Sequence, residues 1–284
     1  MRVQLVECPR DAWQGLPTFI PTEIKIRYLK ALLKVGFHTL DAGSFVSPKA
    51  VPQMQDTSEV LSALPYSEYP QTGILVIVAN QRGIETAVQH PAVRYIGYPL
   101  SLSETFQKQN TRQSREEAEA LIPILVEACQ RHEKIPVVYL SMGFGNPYGD
   151  PYSPQEVIDT GEKLRQQGVS IVSLADTVGI ATPETVYDIL RAAITHVHGV
   201  TWGAHLHAQP DAAWSKIEAA WEAGCRRFDS ALGGYGGCPF AGVPLVSNLR
   251  TESLLSFLRE KDALPTLNEE ALNEAQSLLP SAFR

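Results

Sequence analysis

The feature that most constrains this chain is an alternation that repeats eight times along its 284 residues. In each repeat, a short run rich in β-branched residues precedes a longer segment with helical periodicity. Eight such pairs in order are typical of a closed parallel barrel. The predicted strands span residues 3–8, 38–45, 72–79, 93–100, 136–142, 170–176, 199–207 and 226–232. We therefore predict an α/β protein with a (β/α)8 TIM barrel, a single domain over residues 1–284 whose C-terminal helices from about residue 248 cover the barrel.

A doubly wound open sheet would also alternate strands with helices. A dinucleotide-binding sheet of that kind has a glycine-rich turn after its first strand. Here the first strand runs into Cys8-Pro9-Arg10-Asp11, which contains no glycine. The barrel is therefore the favoured architecture.

Helix signals support the alternation. Thr22 is a candidate N-cap for a helix that Gly36 would end, because glycine adopts the left-handed conformation needed after a helix. Ser153 and Thr182 each precede a proline, the arrangement of a capping residue followed by a proline in the first turn. Further helices are predicted over residues 116–132, 248–262 and 268–279.

Charge and composition exclude several classes of partner. The formal net charge is −7, which argues against nucleic acid or an anionic membrane as the main partner. No segment approaches the roughly 18 uninterrupted apolar residues of a membrane span, and residues 1–11 lack a signal-peptide pattern. The four cysteines are scattered and show no CxxC spacing, which favours free thiols. We expect a cytoplasmic protein with no nucleic-acid partner and no membrane partner.

Chemistry in such a barrel lies at the C-terminal ends of the strands. Arg10 and Asp11 follow the first strand, and His205 and His207 end the seventh with the i, i+2 spacing that directs both side chains to one face. Each pair alone also fits a simpler interpretation, a surface ion pair or two packed histidines. Together across one mouth they favour a divalent metal site for Mg2+ or Mn2+, with Zn2+ less favoured because no thiolate accompanies them.

Other polar residues follow the remaining strands. Four glycines between residues 233 and 237 precede Cys238, so a mobile loop could bring a thiol to a ligand. Asn248 begins a predicted helix, where it could cap that helix or bind a metal. The segment from the second strand onward offers another carboxylate and a possible anion contact, and the end of the sixth strand offers a candidate orienting carboxylate. These are Asp41, Ser44, Lys49 and Asp176.

Taken together, these residues resemble the 3-hydroxy-3-methylglutaryl-CoA lyases, in a wider group of metal-dependent Claisen-type barrel enzymes that includes the isopropylmalate synthases. The resemblance covers nearly the whole chain. The segments that carry it are Val6-Glu7, Pro9-Arg10-Asp11, Ser44-Phe45-Val46-Ser47-Pro48-Lys49, Val51-Pro52-Gln53-Met54, Asp176-Thr177-Val178-Gly179, Thr182-Pro183, His205-Leu206-His207, Gly236-Gly237-Cys238-Pro239 and Asn248. The Ser-Phe-Val-Ser-Pro-Lys and Gly-Gly-Cys-Pro segments are specific to the lyase branch, whereas the whole group shares the His-x-His pair.

The resemblance implies a reaction in which 3-hydroxy-3-methylglutaryl-CoA is split into acetyl-CoA and acetoacetate with a divalent cation, Mg2+ or Mn2+. The implied metal ligands are Asp11, His205, His207 and Asn248. The implied catalytic residues are Arg10, Asp41, His205 and Cys238. The implied substrate contacts are Arg10, Ser44, Lys49 and Asp176. In this scheme Arg10 stabilises an enolate oxygen and Cys238 transfers a proton. The expected partners are an acyl-CoA substrate and a second copy of the chain, in a homodimer.

Three positions depart from the family pattern. Ala208 stands where the family has an Asp after the second metal histidine, so a partner of that histidine is lost unless Asp211 replaces it. Asp41 is one methylene shorter than the family's Glu, and the stretch before Asn248 lacks the expected glycine. Two alternatives therefore stay open. One is a related metal-dependent aldolase or Claisen enzyme for another 3-hydroxyacyl-CoA or 2-hydroxy acid, and the other is a non-catalytic acyl-CoA-binding barrel.

Overall fold

The predicted barrel is confirmed by a computed structural model, which describes residues 2–237 and 246–283. Eight parallel strands pair in sequence order and close into a barrel. The strands are β1 (Gln4–Glu7), β2 (Thr39–Ser44), β3 (Gly73–Ile77), β4 (Val93–Ser101), β5 (Ile135–Ser141), β6 (Ile171–Asp176), β7 (Thr201–Leu206) and β8 (Arg227–Ser230). Closure is made by β1 against β8, where Gln4 pairs with Arg227 and Glu7 with Ser230.

Helices follow the strands and cover the outside of the barrel. Within the described residues they are α1 (Pro9–Gln14), α2 (Thr22–Val35), α3 (Thr57–Ser62), α4 (Gln81–Gln89), α5 (Glu104–Thr111), α6 (Arg115–Arg131), α7 (Pro154–Gln166), α8 (Pro183–His196), α9 (Pro210–Glu222), α10 (Thr251–Glu260) and α11 (Glu269–Ala282). Among these helices there is none with the length and apolarity needed to cross a membrane.

Three of the four predicted helix-end residues are confirmed, and the fourth, Thr22, is wrong. Gly36 adopts φ 89° after α2, and Ser153 and Thr182 accept capping hydrogen bonds, as predicted. Thr22 is not a cap, because Pro21 occupies that position and the Thr22 hydroxyl instead donates to Asp56 (2.9 Å).

The interior of the barrel is divided between apolar and polar side chains. Leu75, Tyr95 and Val137 belong to an apolar cluster inside β3, β4 and β5. On the side of β6 to β8, the interior carries polar residues instead, among them Ser173 and the completely buried Arg227. This polar half of the interior leads up to the C-terminal mouth, where the candidate site lies.

Candidate active site

Three of the predicted metal ligands meet at the C-terminal mouth of the barrel. Asp11 lies on α1, directly after β1, while His205 lies on β7 and His207 just beyond it. Their ligand atoms lie within 4.8 Å of one another, and the Nε2 atoms of His205 and His207 are 3.2 Å apart. Two imidazole nitrogens and a carboxylate converging on one point form a donor set suited to a divalent cation. The residues present therefore fit the implied metal.

The charges around this cluster place Asp11 and His207 in the forms that bind metal. Burial opposes ionisation of Asp11, but Arg10, His205 and His207 together hold its pKa below the usual value. Burial, followed by the charge of His205, lowers the pKa of His207 to about 4, so this ring is neutral near pH 7 with an available lone pair. Burial also disfavours the cation of His205, yet Asp229 and then Asp11 raise its pKa. An anionic oxygen and a neutral imidazole are the forms that bind metal.

Arg10 is fixed beside the cluster by two carboxylates. Its Nη2 and Nε donate to Asp41 Oδ2 at 2.6 and 3.1 Å, and its Nη1 donates to Asp11 Oδ1 at 3.2 Å. Although burial opposes the charge, Asp41 and Asp11 raise the pKa of Arg10. Burial raises the pKa of Asp41 to about 6, against the opposing effect of Arg10. In this geometry Asp41 holds the guanidinium in place, and Arg10 links Asp41 by hydrogen bonds to Asp11 of the metal cluster.

Gln14 completes this arrangement and was not found from the sequence. Its Nε2 donates to Asp11 Oδ1 (2.7 Å), and its Oε1 accepts from Arg10 Nη1 (2.9 Å). The three residues lie on α1 at spacings of three and four, so they share one helix face. The spacing of these residues would have predicted the contact only if the short helix that begins at Pro9 had also been predicted.

Asn248 lies in the site and does not cap a helix. The predicted start of the helix at 248 was wrong, because α10 begins at Thr251. A bridge places Asn248 antiparallel to His207, and its Nδ2 donates to Asp11 Oδ2 (2.8 Å) and to the Tyr235 carbonyl (2.9 Å). Asn248 thus contacts the metal cluster through Asp11, and its role as a direct ligand stays a prediction.

Asp176 lies under the mouth, bound to a lysine. Lys216 Nζ donates to Asp176 Oδ2 (2.7 Å), to the His207 carbonyl (2.9 Å) and to the Gly179 carbonyl (3.2 Å). Among the described residues, Asp176 is not part of the cavity wall. Asp176 anchors the lysine that supports the backbone of His207, and its role as a substrate contact stays a prediction. Asp211, the suggested replacement partner for His207, is exposed.

A cavity opens above the cluster. Its wall includes the metal cluster, Arg10 and the predicted contacts Ser44 and Lys49, with Arg112 and Gln113 from the segment just after α5. The Ser44 hydroxyl is buried and has no hydrogen-bond partner among the described residues. Cys238 lies outside the described residues. Gly236 approaches the site closely, since a Cβ added to it would lie 2.8 Å from the Cα of Ala12.

The fold and the cluster define a class: (β/α)8-barrel proteins with a candidate metal centre and an adjacent arginine at the C-terminal mouth. The family model described as HMGL-like matches residues 2–278. Mouse mitochondrial hydroxymethylglutaryl-CoA lyase is 33% identical over 283 residues, which cover 99% of this chain and 86% of the mouse protein. The chain belongs to the HMGL-like family.

Solved structures show the same relationship. An HMG-CoA lyase from Acinetobacter baumannii, in complex with coenzyme A and 3-methylmalate, superposes with a TM-score of 0.91 at 31% identity, covering 99% of this chain and 91% of that one. The HMG-CoA lyase from Brucella melitensis has a TM-score of 0.90 at 31% identity, covering 99% of both chains. The resemblance inferred from the motifs is therefore confirmed.

Proposed function

We propose that this protein is a hydroxymethylglutaryl-CoA lyase that cleaves 3-hydroxy-3-methylglutaryl-CoA to acetyl-CoA and acetoacetate. The observation that carries the proposal is the convergence of Asp11, His205 and His207 within 4.8 Å of one another, with Arg10 bonded to Asp11. It occurs in a chain whose full-length relatives are lyases of this kind. The protein is thus a carbon–carbon lyase in this proposal.

Asp11, His205 and His207 would hold the cation, which we propose to be Mg2+ or Mn2+ because a mixed oxygen and imidazole set without thiolate suits these ions. A bound divalent cation acidifies a coordinated hydroxyl group and polarises a neighbouring oxygen. Asn248 keeps the Asp11 carboxylate oriented through its 2.8 Å hydrogen bond.

Arg10 supplies the charge that the departing thioester needs. When the bond between C2 and C3 of the acyl group breaks, the C3 hydroxyl gives its proton to a base and becomes the ketone of acetoacetate. The electron pair of the broken bond moves into the thioester, and an enolate oxygen develops. A fixed guanidinium beside that oxygen stabilises the developing charge, and one such donor contributes roughly 3–4 kcal/mol. Asp41 and Asp11 hold Arg10 so that it cannot turn away.

The enolate carbon then takes up a proton. We propose Cys238 as the donor, on the strength of its motif and of the close approach of Gly236 to Ala12, which keeps the loop stem beside the site. A thiol on a closing loop can act as a general acid. Ser44 and Lys49 on the cavity wall would contact the acyl-CoA substrate. A homodimer and a cytoplasmic location belong to the same proposal.

The test is product formation by the purified full-length chain. We expect acetoacetate from 3-hydroxy-3-methylglutaryl-CoA with Mg2+ or Mn2+, and none after addition of EDTA. Arg10→Gln should lower turnover about 100- to 1,000-fold, the range for loss of one oxyanion donor, while Arg82→Gln, on the exposed face of α4, should leave it unchanged. A wild-type protein that binds metal but yields no acetoacetate would refute this substrate.

A further inference from the structure

The Nδ1 atom of His205 points away from the metal cluster and contacts a residue that the sequence did not single out. Asp229 Oδ2 lies 3.2 Å from this nitrogen. The Asp229 side chain is completely buried and lies on β8. In a metal-binding histidine, a carboxylate that accepts a hydrogen bond from the other ring nitrogen fixes the tautomer and the orientation of the ring.

The fold itself brings these two residues together. In the parallel ladder of β7 and β8, His205 pairs with Asp229. Paired residues of neighbouring strands direct their side chains to the same face of the sheet, so both side chains enter the barrel side by side. The contact therefore depends on strand register.

Further groups restrict the pair from other sides. The ring of Tyr139 meets the His205 ring edge-on, with centroids 5.7 Å apart. Arg227 precedes Asp229 by two residues on the same face of β8, is completely buried, and pairs in the ladder with Gly203 below His205. Asp229 thus contacts His205 and lies two residues beyond Arg227 on the same face of β8.

The same region also offers a second candidate metal site, formed by Cys8, His205 and Asp229, whose ligand atoms lie within 4.8 Å of one another. The thiol geometry disfavours it. Cys8 Sγ donates to the Val6 carbonyl (3.7 Å), and burial raises the pKa of this thiol, whereas metal binding requires a thiolate.

We propose that Asp229 is the positioning residue of the metal site: it accepts a hydrogen bond from Nδ1–H of His205 and thereby directs the Nε2 lone pair toward Asp11 and His207. The proposal rests on the metal site of the proposed function and adds to it. It also explains an asymmetry, because Nδ1 of His207 has no side-chain partner among the described residues, and Ala208 follows it. His205 is then the better oriented of the two histidines.

The test measures metal affinity and tautomer in full-length wild type, Asp229→Asn and Asp229→Ala. Calorimetric titration with Mn2+ should show affinity lowered about 10- to 100-fold in both variants, the usual cost of losing such a partner. Asp188→Asn removes an exposed carboxylate on α8, away from the site, and should change affinity less than twofold. Asparagine keeps the shape of the side chain, so this variant remains informative where alanine fails to fold.

Long-range proton–nitrogen NMR of the metal-free protein gives a readout that a general loss of structure would not mimic. At about pH 9, well above the ordinary imidazole pKa, wild-type His205 should carry its proton on Nδ1, and Asp229→Asn should shift it toward Nε2. His38, bonded to Thr39 at the other end of the barrel, should keep its signals. Unchanged affinity or an unchanged tautomer in Asp229→Asn would overturn the proposal, as would a wild-type protein that binds no metal. Metal binding without acetoacetate formation would instead refute the substrate alone.

Discussion

Glu7 offers a quantitative test of how burial controls this barrel. Its carboxyl group is enclosed between β1, β8 and α10, with Oε2 accepting from the Thr251 hydroxyl (2.6 Å) and Oε1 from the Leu232 amide (2.7 Å). Burial raises the pKa of Glu7 from 4.5 to about 8, because these two hydrogen bonds offset only part of the lost hydration of the carboxylate. The folded protein therefore binds this proton more tightly than the unfolded chain does.

The sign of the pH effect follows from that difference. A raised pKa in the folded state gives stability that is present below pH 4.5 and is lost as the pH rises through about 8. Each unit of pKa shift corresponds to about 1.4 kcal/mol. At pH 8 the accumulated loss is roughly 4 kcal/mol, which is large against the 5–15 kcal/mol typical of a domain.

Glu7→Gln removes the titration but keeps the shape. The amide oxygen can accept from Leu232, and the amide nitrogen can donate to Thr251, whose hydroxyl then turns to Ser230, 2.9 Å away. We expect the variant to gain stability relative to wild type as the pH rises, by about 0.8 kcal/mol at pH 5 and by roughly 4 kcal/mol at pH 8.

The assay is urea unfolding of both proteins at pH 5, 6, 7 and 8, at one protein concentration. Glu68→Gln removes an exposed carboxyl group and serves as the matched control, with a difference from wild type that should stay constant over this range. A constant difference between Glu7→Gln and wild type, or one that shrinks toward pH 8, would refute the reasoning.

Three further predictions concern the site and its support. In Gly236→Ala the new Cβ would lie 2.6 Å from Asn248 Nδ2, on a backbone with φ 103°. We therefore expect weaker Mn2+ binding by calorimetry and a free energy of unfolding lower by roughly 1–3 kcal/mol. Gly199→Ala, at φ 82° with open space around it, carries backbone strain alone and should leave Mn2+ binding unchanged; equal binding by both variants would contradict the contact. Lys216→Met leaves Asp176 buried without its cation, so the free energy of unfolding should fall by about 3–5 kcal/mol. A loss below 1 kcal/mol in urea unfolding would show that the ion pair does not support the barrel. Removal of metal with EDTA should lower the melting temperature relative to Mg2+ at one hundred times its dissociation constant, where binding stabilises by about 2.7 kcal/mol; an unchanged melting temperature would speak against a bound cation.

The sequence by itself determined the barrel and the core of its candidate site. The alternation of β-branched runs with capped helical segments is local, and each strand occurs where it was predicted, shorter at one or both ends for most of them. The meeting of Asp11 with His205 and His207 also follows from the sequence, since parallel strands end at one mouth and i, i+2 residues share a face.

Tertiary structure decided which side chains support that core. The contact of Asp229 with His205 depends on the register of β7 with β8, and the ion pair of Asp41 with Arg10 joins residues 31 positions apart. Lys216 likewise reaches back across 40 residues to Asp176. Composition and periodicity report whether a residue faces inward, but the partner it meets there is set by strand register and helix packing, which arise only when the whole barrel closes.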